Sequence, residues 1–340
     1  MTPNDLISRE ALVTDHDDIL NITKDENLYH GRDYLPHYLK EWLEQGIDKQ
    51  SNRRNLVFSL DNKLVGFRSL YFQNGGAVVV FYARRIIKDI RGKGFGRKLS
   101  ELSVQLAKSH SPLVTKTLVS IGDFDFQDTE ITDPKHGDLL TKRTFVPYQV
   151  KFQEMTNLLA KFVASLSEPR NENLTQFITK DEFKQVLRNE KFVSGALENK
   201  TLNINWHPIL LKTEEDIEFA TMGTQNVLLE GNVQNPIALS IFTCPYTIAD
   251  GKSRVVLDFY KCKPGVSGMS IVEHLTKHLI YFNECNDESR VTIFEIFDFQ
   301  KDLKQVIKDM EAKIGVGEKR WYAGTQKREF CSIFSFRKSI

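Results

Sequence analysis

Polar and apolar positions change period several times along residues 1–153, and each change marks an element. Thr14-Asp15-His16-Asp17 offers a cap for a first helix whose apolar side is Ile19, Leu20 and Ile22. Pro36 suits the first turn of a second helix carrying Leu39, Trp42 and Leu43. Residues 56–60 and 64–72 read as two strands around Asp61-Asn62-Lys63, a hairpin signal. The unbroken apolar run Ala77-Val78-Val79-Val80-Phe81-Tyr82-Ala83 predicts a buried strand over about 76–87. Leu99, Leu102 and Leu106 then fall at helical spacing, up to about residue 110. A strand over 113–121, a short helix over 134–144 and a closing strand over 145–152 complete the series.

The second half repeats this order. A helix over 155–166 leads into Ser167-Glu168-Pro169-Arg170-Asn171-Glu172-Asn173, which has the composition of a linker. Thr179 and Glu182 have capping-box spacing and open a helix. Strands follow near 225–230, 236–243 and 253–262, then a helix over 268–283 and a strand over 290–296. A helix over 300–313 and an extended segment end the series. We read an α/β chain of mixed sheet: a first domain at 1–153, a connection at 154–175, and a diverged repeat at 176–340. A length of 340 residues agrees with two domains.

Candidate chemistry sits between the apolar strand and the helix after it. The turn is Arg91-Gly92-Lys93-Gly94-Phe95-Gly96-Arg97-Lys98. Glycines let backbone approach a ligand closely, and the first amides of a helix point outward without partners. With four cations around them, those amides form a seat for phosphate or pyrophosphate. No Gly-x-x-x-x-Gly-Lys-Ser/Thr string exists, which excludes a P-loop. A dinucleotide fingerprint needs a third glycine where Arg97 stands. What fits is Arg91-x-x-Gly94-x-Gly96, which resembles the acetyl-CoA signature of the GNAT N-acetyltransferase superfamily. The segments Tyr29-His30-Gly31-Arg32-Asp33-Tyr34-Leu35-Pro36, Asn205-Trp206-His207-Pro208, Val256-Leu257-Asp258-Phe259-Tyr260 and Glu273-His274-Leu275 resemble the histidine N-acetyltransferases within it. The resemblance therefore implies a tandem GNAT-like fold. The turn Lys261-Cys262-Lys263-Pro264-Gly265-Val266-Ser267-Gly268 lacks the signature, so one CoA per chain is expected.

Composition narrows the partners. The 46 basic and 45 acidic residues nearly cancel, which speaks against a nucleic-acid-coating protein. No apolar run approaches the roughly 20 residues that span a bilayer, and the first residues lack a signal-peptide layout. Cys244, Cys262, Cys285 and Cys331 show no Cys-x-x-Cys pair and no zinc spacing, so a cytoplasmic protein without a metal is expected.

The resemblance also implies a reaction: direct attack of an amine, L-histidine for choice, on acetyl-CoA. The backbone from Arg84 to Lys88, with Ile86 and Ile87, would position the pantetheine and acetyl group. Relatives often carry a Glu base in the preceding strand, where this chain has Tyr82. Asp33 or Asp123 could act through water instead, and His136 or Tyr148 could supply the proton for the departing thiolate. Arg32, Asp33, Tyr34, Arg84, Arg85 and Trp206 are candidates for the acceptor pocket. Other small amines, or a silent CoA-binding module, remain rival readings.

Overall fold

Asp61 and Asn62 both take positive φ, 48° and 61°. This is the two-residue primed turn that right-twisted strands require, and it joins the first long hairpin of the fold. The structure is a computed structural model that describes residues 2–24, 26, 33–122, 137–164, 175–222, 226–243, 245–248, 251–262, 268–283, 291–298 and 331–340. The first half contains β1 (Ile7–Glu10), α1 (His16–Asn21), α2 (Leu35–Ile47), β2 (Arg53–Leu60), β3 (Lys63–Gln73), β4 (Val78–Ile86), α3 (Phe95–His110), β5 (Lys116–Gly122) and β6 (Asp138–Lys151). Helix α4 (Phe152–Ala164) leads onward. The second half contains β7 (Thr175–Phe177), α5 (Lys180–Arg188), α6 (Glu190–Ala196), β8 (Thr201–Ile204), β9 (His207–Leu210), α7 (Glu214–Thr221), β10 (Val227–Gly231) and β11 (Pro236–Phe242). It ends with β12 (Tyr246–Thr247), β13 (Ser253–Lys261), α8 (Gly268–Asn283), β14 (Val291–Asp298) and β15 (Cys331–Ser339). No helix among the described residues is long and apolar enough to cross a membrane.

The main sheet runs β1-β2-β3-β4-β5-β15-β6-β14-β13-β11-β10-β7. Its order reads alike from either end. Each half has one parallel pair, β4 with β5 and β13 with β14, joined through α3 and α8 respectively. A pseudo-twofold therefore passes between β15 and β6, and it supports the repeat expected from the sequence order. Two expectations need correction. Residues 138–144, read as part of a short helix, are strand: they pair with β15, whose edge supplies the hydrogen bonds that local propensity cannot foresee. The strand expected to close the first half does not pair with β5. It pairs with β14 and β15, while β15 covers β5. The halves have exchanged their closing strands.

The two faces of β4 separate the layers. Val78, Val80 and Tyr82 pack with α1 and α2 residues such as Ile19, Leu39 and Trp42. Val79 and Phe81 pack with Phe95 and Leu99 of α3. The β8–β9 hairpin bridges the halves: Leu202 and Ile209 join the second core, and Leu210 joins the first. Gln73 of β3 fixes this docking. Its Nε2 donates to the Pro208 carbonyl at 3.0 Å, and its Oε1 accepts from the Leu210 amide at 3.0 Å.

Candidate active site

β4 and β5 part company in mid-strand. They pair only from Val78–Lys116 to Val80–Leu118, and beyond that β5 pairs on its other side with β15. The departure coincides with a register shift in β4 opposite Phe67–Ser69, where Ala83 takes φ 48°. That is a β-bulge, a local extra residue that bends a strand. A wedge opens between the outer parts of β4 and β5. The equivalent pair in the second half, β13 and β14, stays in register over seven residue pairs and opens no such wedge.

The glycine turn stands at the head of the wedge. Gly92 and Gly94 have φ 73° and 86°, conformations that a side chain disfavours. Gly94 is the N-cap of α3, and Phe95 and Leu99 anchor the helix in the core. The first helical bond runs from the Lys98 amide to the Gly94 carbonyl, so the amides of Phe95, Gly96 and Arg97 carry no backbone partner. A Cβ on Gly92 would meet nothing within 4 Å, and one on Gly96 only Ile86 Cδ1 at 3.6 Å. At Gly92 the backbone conformation itself accounts for glycine, but at Gly96 nothing in the chain's own packing requires it, whereas a ligand lying on the backbone would. Lys93 and Lys98 form no ion pair among the described residues, while Arg97 pairs with Glu101 at 3.1 Å. Arg91 braces the turn: its guanidinium takes Glu26 at 2.5 and 2.7 Å and the Ile86 carbonyl at 2.6 Å. Ile86 and Ile87 are half-buried beside α3. The residues present therefore fit a CoA diphosphate: open amides, unpaired lysines and a backbone left bare.

On the opposite face of β4, aromatic rings converge from both halves. Tyr82 meets His207 edge-on with centroids 4.5 Å apart. Trp42 lies 6.2 Å from each of them, and Tyr34 lies 6.0 Å from Trp42 and 6.2 Å from His207. Tyr38 stacks on Trp42 at 5.8 Å and touches Tyr246 of β12 at 5.4 Å. Such contacts contribute about 0.5–1.5 kcal/mol each beyond burial. His207 is delivered by a strained turn, because Asn205 and Trp206 hold φ 45° and 74°. Left-handed backbone is rare for a residue as large as Trp. The Asn205 amide donates to Asp258 at 2.9 Å and helps to hold it there.

Electrostatics assign the protons. Neither ring nitrogen of half-buried His207 hydrogen-bonds a described residue. Burial first, then the cations of Arg53 and Arg254, push this imidazole down to about 3, so it is neutral near pH 7. Burial pushes the Tyr82 phenol well above its ordinary range, and its buried hydroxyl has no hydrogen-bond partner among the described residues. Tyr82 therefore keeps its proton near neutral pH and is a donor rather than a base. Asp33 is committed elsewhere: it accepts from Arg85 at 2.5 Å and from the Leu35 amide at 3.0 Å, which makes it a brace for the start of α2. Arg84 is exposed. Trp206 turns away from the cluster to Phe145, at 5.5 Å, and Arg254, at 5.2 Å. Arg32, Asp123 and His136 lie outside the described residues, as does the Tyr148 side chain.

Sequence reasoning missed Arg53. It is 5% exposed, with its guanidinium 4.4 Å from the Trp42 centroid and 5.8 Å from that of Tyr82. A charged residue at the start of a strand looks solvated until the sheet shows which face it joins.

Residues 16–120 match the model of the acetyltransferase (GNAT) family. That stretch is a GNAT-type acetyltransferase domain. Similar proteins include the histidine N-acetyltransferase of Scomber australasicus, 24% identical over 283 residues that cover 79% of this chain and 78% of that protein. The one from Oreochromis niloticus is 22% identical over 291 residues, with the same coverage of 79% and 78%. Among solved structures, a tandem GNAT protein from the clavulanic acid biosynthesis pathway matches with a TM-score of 0.56 at 12% identity, covering 98% of each chain. The N-myristoyltransferase of Saccharomyces cerevisiae with bound myristoyl-CoA also gives 0.56 at 12% identity, covering 99% of this chain and 87% of that one. At such identities these structures speak for the fold alone. The chain has the tandem GNAT fold.

Proposed function

We propose that this enzyme transfers the acetyl group of acetyl-CoA to the α-amine of a free amino acid, L-histidine, by direct attack. The observation that carries the reading is the wedge between β4 and β5, with bare helical amides at its head and, across β4, a neutral imidazole that hydrogen-bonds no described residue. Acetyl-CoA supplies a thioester already reactive toward amines. The amides of Phe95, Gly96 and Arg97, with Lys93 and Lys98, would hold its diphosphate. The backbone of β4 beyond Val80 would pair with its pantetheine arm. The amine attacks in its neutral form, a minor species below its pKa of about 8, and His207 takes the proton from the attacking nitrogen as that nitrogen gains positive charge on bonding to the thioester carbon. Tyr82, kept protonated by burial, faces the same cluster as a proton donor for the leaving side. Tyr34, Tyr38 and Trp42 form an aromatic wall suited to a flat side chain, and the acceptor's identity rests on the names of the similar proteins. In this reading residues 1–153 bind CoA, 154–175 connect, and 176–340 are a second GNAT-like unit that supplies His207 but no second CoA seat.

A thiol-release assay against a panel of amino acids and amines tests the reading. Turnover is expected to be fastest with L-histidine. Release of CoA with other amino acids but none with histidine would discard the acceptor, and calorimetry giving two equivalent CoA sites would discard the single seat.

A further inference from the structure

On the reading that the acceptor is a free amino acid, we propose that Arg53 of β2 is the seat of its carboxylate. Arg53 is almost wholly buried, yet its partners are neutral. Nε donates to Gln45 Oε1 at 2.8 Å and Nη1 donates to Ser69 Oγ at 2.9 Å. Nη2 bonds no described residue, and no described carboxylate lies within ion-pair distance of the guanidinium. The groups facing it are Trp42, Gln45 and, further off, Glu41 on α2, Ser69 and Tyr71 on β3, Tyr82 on β4, and His207 on β9. Glu41 acts at second hand: it accepts from Gln45 Nε2 at 2.8 Å on the exposed side of α2. A cation taken out of water normally needs an anion. Arg85 and Arg143 have theirs, Asp33 and Asp258, each at 2.5 Å; Arg54 and Arg68 are also buried without a carboxylate, but Arg54 is tied to backbone carbonyls and His110, and Arg68 to Ser100 and Phe81, away from the aromatic cluster.

Placement completes the argument. The guanidinium lies beside Tyr82 and biases His207, so it belongs to the aromatic cluster where the acceptor's amine must lose its proton. A planar fork of N–H groups matches a carboxylate. In an α-amino acid the amine is one carbon away from that carboxylate. A carboxylate docked on Arg53 therefore leaves the amine beside His207 and β4. A decarboxylated amine leaves the buried cation unanswered and is selected against.

Steady-state rates of the full chain with L-histidine and with histamine, which differ by the carboxylate alone, test this. Wild type is expected to favour L-histidine by about 100-fold or more in kcat/KM. Arg53→Gln should remove most of that preference, through KM for L-histidine, with KM for acetyl-CoA within about twofold of wild type. Arg53→Lys, which keeps the charge but not the fork, should retain an intermediate preference. A wild-type ratio within about threefold of one, or an unchanged ratio in folded Arg53→Gln, overturns the proposal. The wild-type ratio needs no variant, so a misfolded substitution does not shield it. Acetylation indifferent to the carboxylate removes the Arg53 seat alone, whereas absence of thiol release with every amine removes the acetyl-transfer reading beneath it.

Discussion

At the scale of single residues, two side chains and one missing side chain carry the chemistry. Gly96 has room for a Cβ, so Gly96→Trp should leave the fold intact while blocking the backbone approach. The expected result is at least about a tenfold rise in KM for acetyl-CoA, or about 1.4 kcal/mol, without loss of thermal stability; unchanged KM would remove the diphosphate from this turn. His207→Gln should lower kcat by about 100-fold or more, the usual contribution of a positioned base. The sign of the pH effect follows from the depressed imidazole. A base whose pKa is lowered stays unprotonated until pH falls far below 6.5, so wild-type kcat should show no acidic limb near that value. A limb near 6.5 that survives in His207→Gln would assign the proton to another group. Tyr82 could be named from the chain but its role could not, because a phenol's proton affinity depends on burial that only the assembled sheet displays; His207 was missed as a proton acceptor, because nothing in the chain places it across β4 from the glycine turn.

At the scale of elements, the periodic stretches were the legible ones. The Asp61–Asn62 turn, β4 and α3 follow from alternation, an apolar run and helical spacing, and the structure places them where those patterns lie. The β8–β9 hairpin left no such trace, since four-residue strands are too short for a period to register, yet it carries His207. Residues 138–144 misled because strand identity there is imposed by a neighbour remote in sequence. Helix α8 hides a further consequence. Ser240 Oγ of β11 lies 2.7 Å from His274 Nδ1 and 2.8 Å from His278 Nε2, both rings fully buried. Glu230 of β10 stands 3.9 Å from His274, and Lys277 is close by. Burial holds both imidazoles well below their unfolded value of 6.5. Stability that depends on their neutrality is present above 6.5 and drains away as pH falls below it toward the depressed values, by up to about 1.4 kcal/mol per pH unit for each ring. Denaturant midpoints compared at pH 7.5 and 5.5 should therefore fall. A double His274→Gln, His278→Gln chain should show a flatter dependence; an equal slope would absolve the pair.

At the scale of the whole molecule, the halves are joined by more than a covalent link. Arg143 of β6 and Asp258 of β13 form an ion pair with side chains 1% and 0% exposed. Asp258→Ala strands the arginine in the core and should cost about 3–5 kcal/mol in equilibrium unfolding; a loss under about 1 kcal/mol would mean that the pair is solvated. A chain ended at Ala164 loses the β15 partner of β5 and the partners on both sides of β6. It should be insoluble or inactive, and soluble, fully active protein from such a chain would refute the dependence of one half on the other. The exchanged strands also impose a timetable on synthesis. A ribosome adds about 5–20 residues per second, so between the emergence of residue 151 and that of residue 339 the nascent polypeptide waits roughly ten to forty seconds with bare sheet edges. Exposure to chaperones in that interval, and catalytic competence only at its close, are the expected consequences of that order.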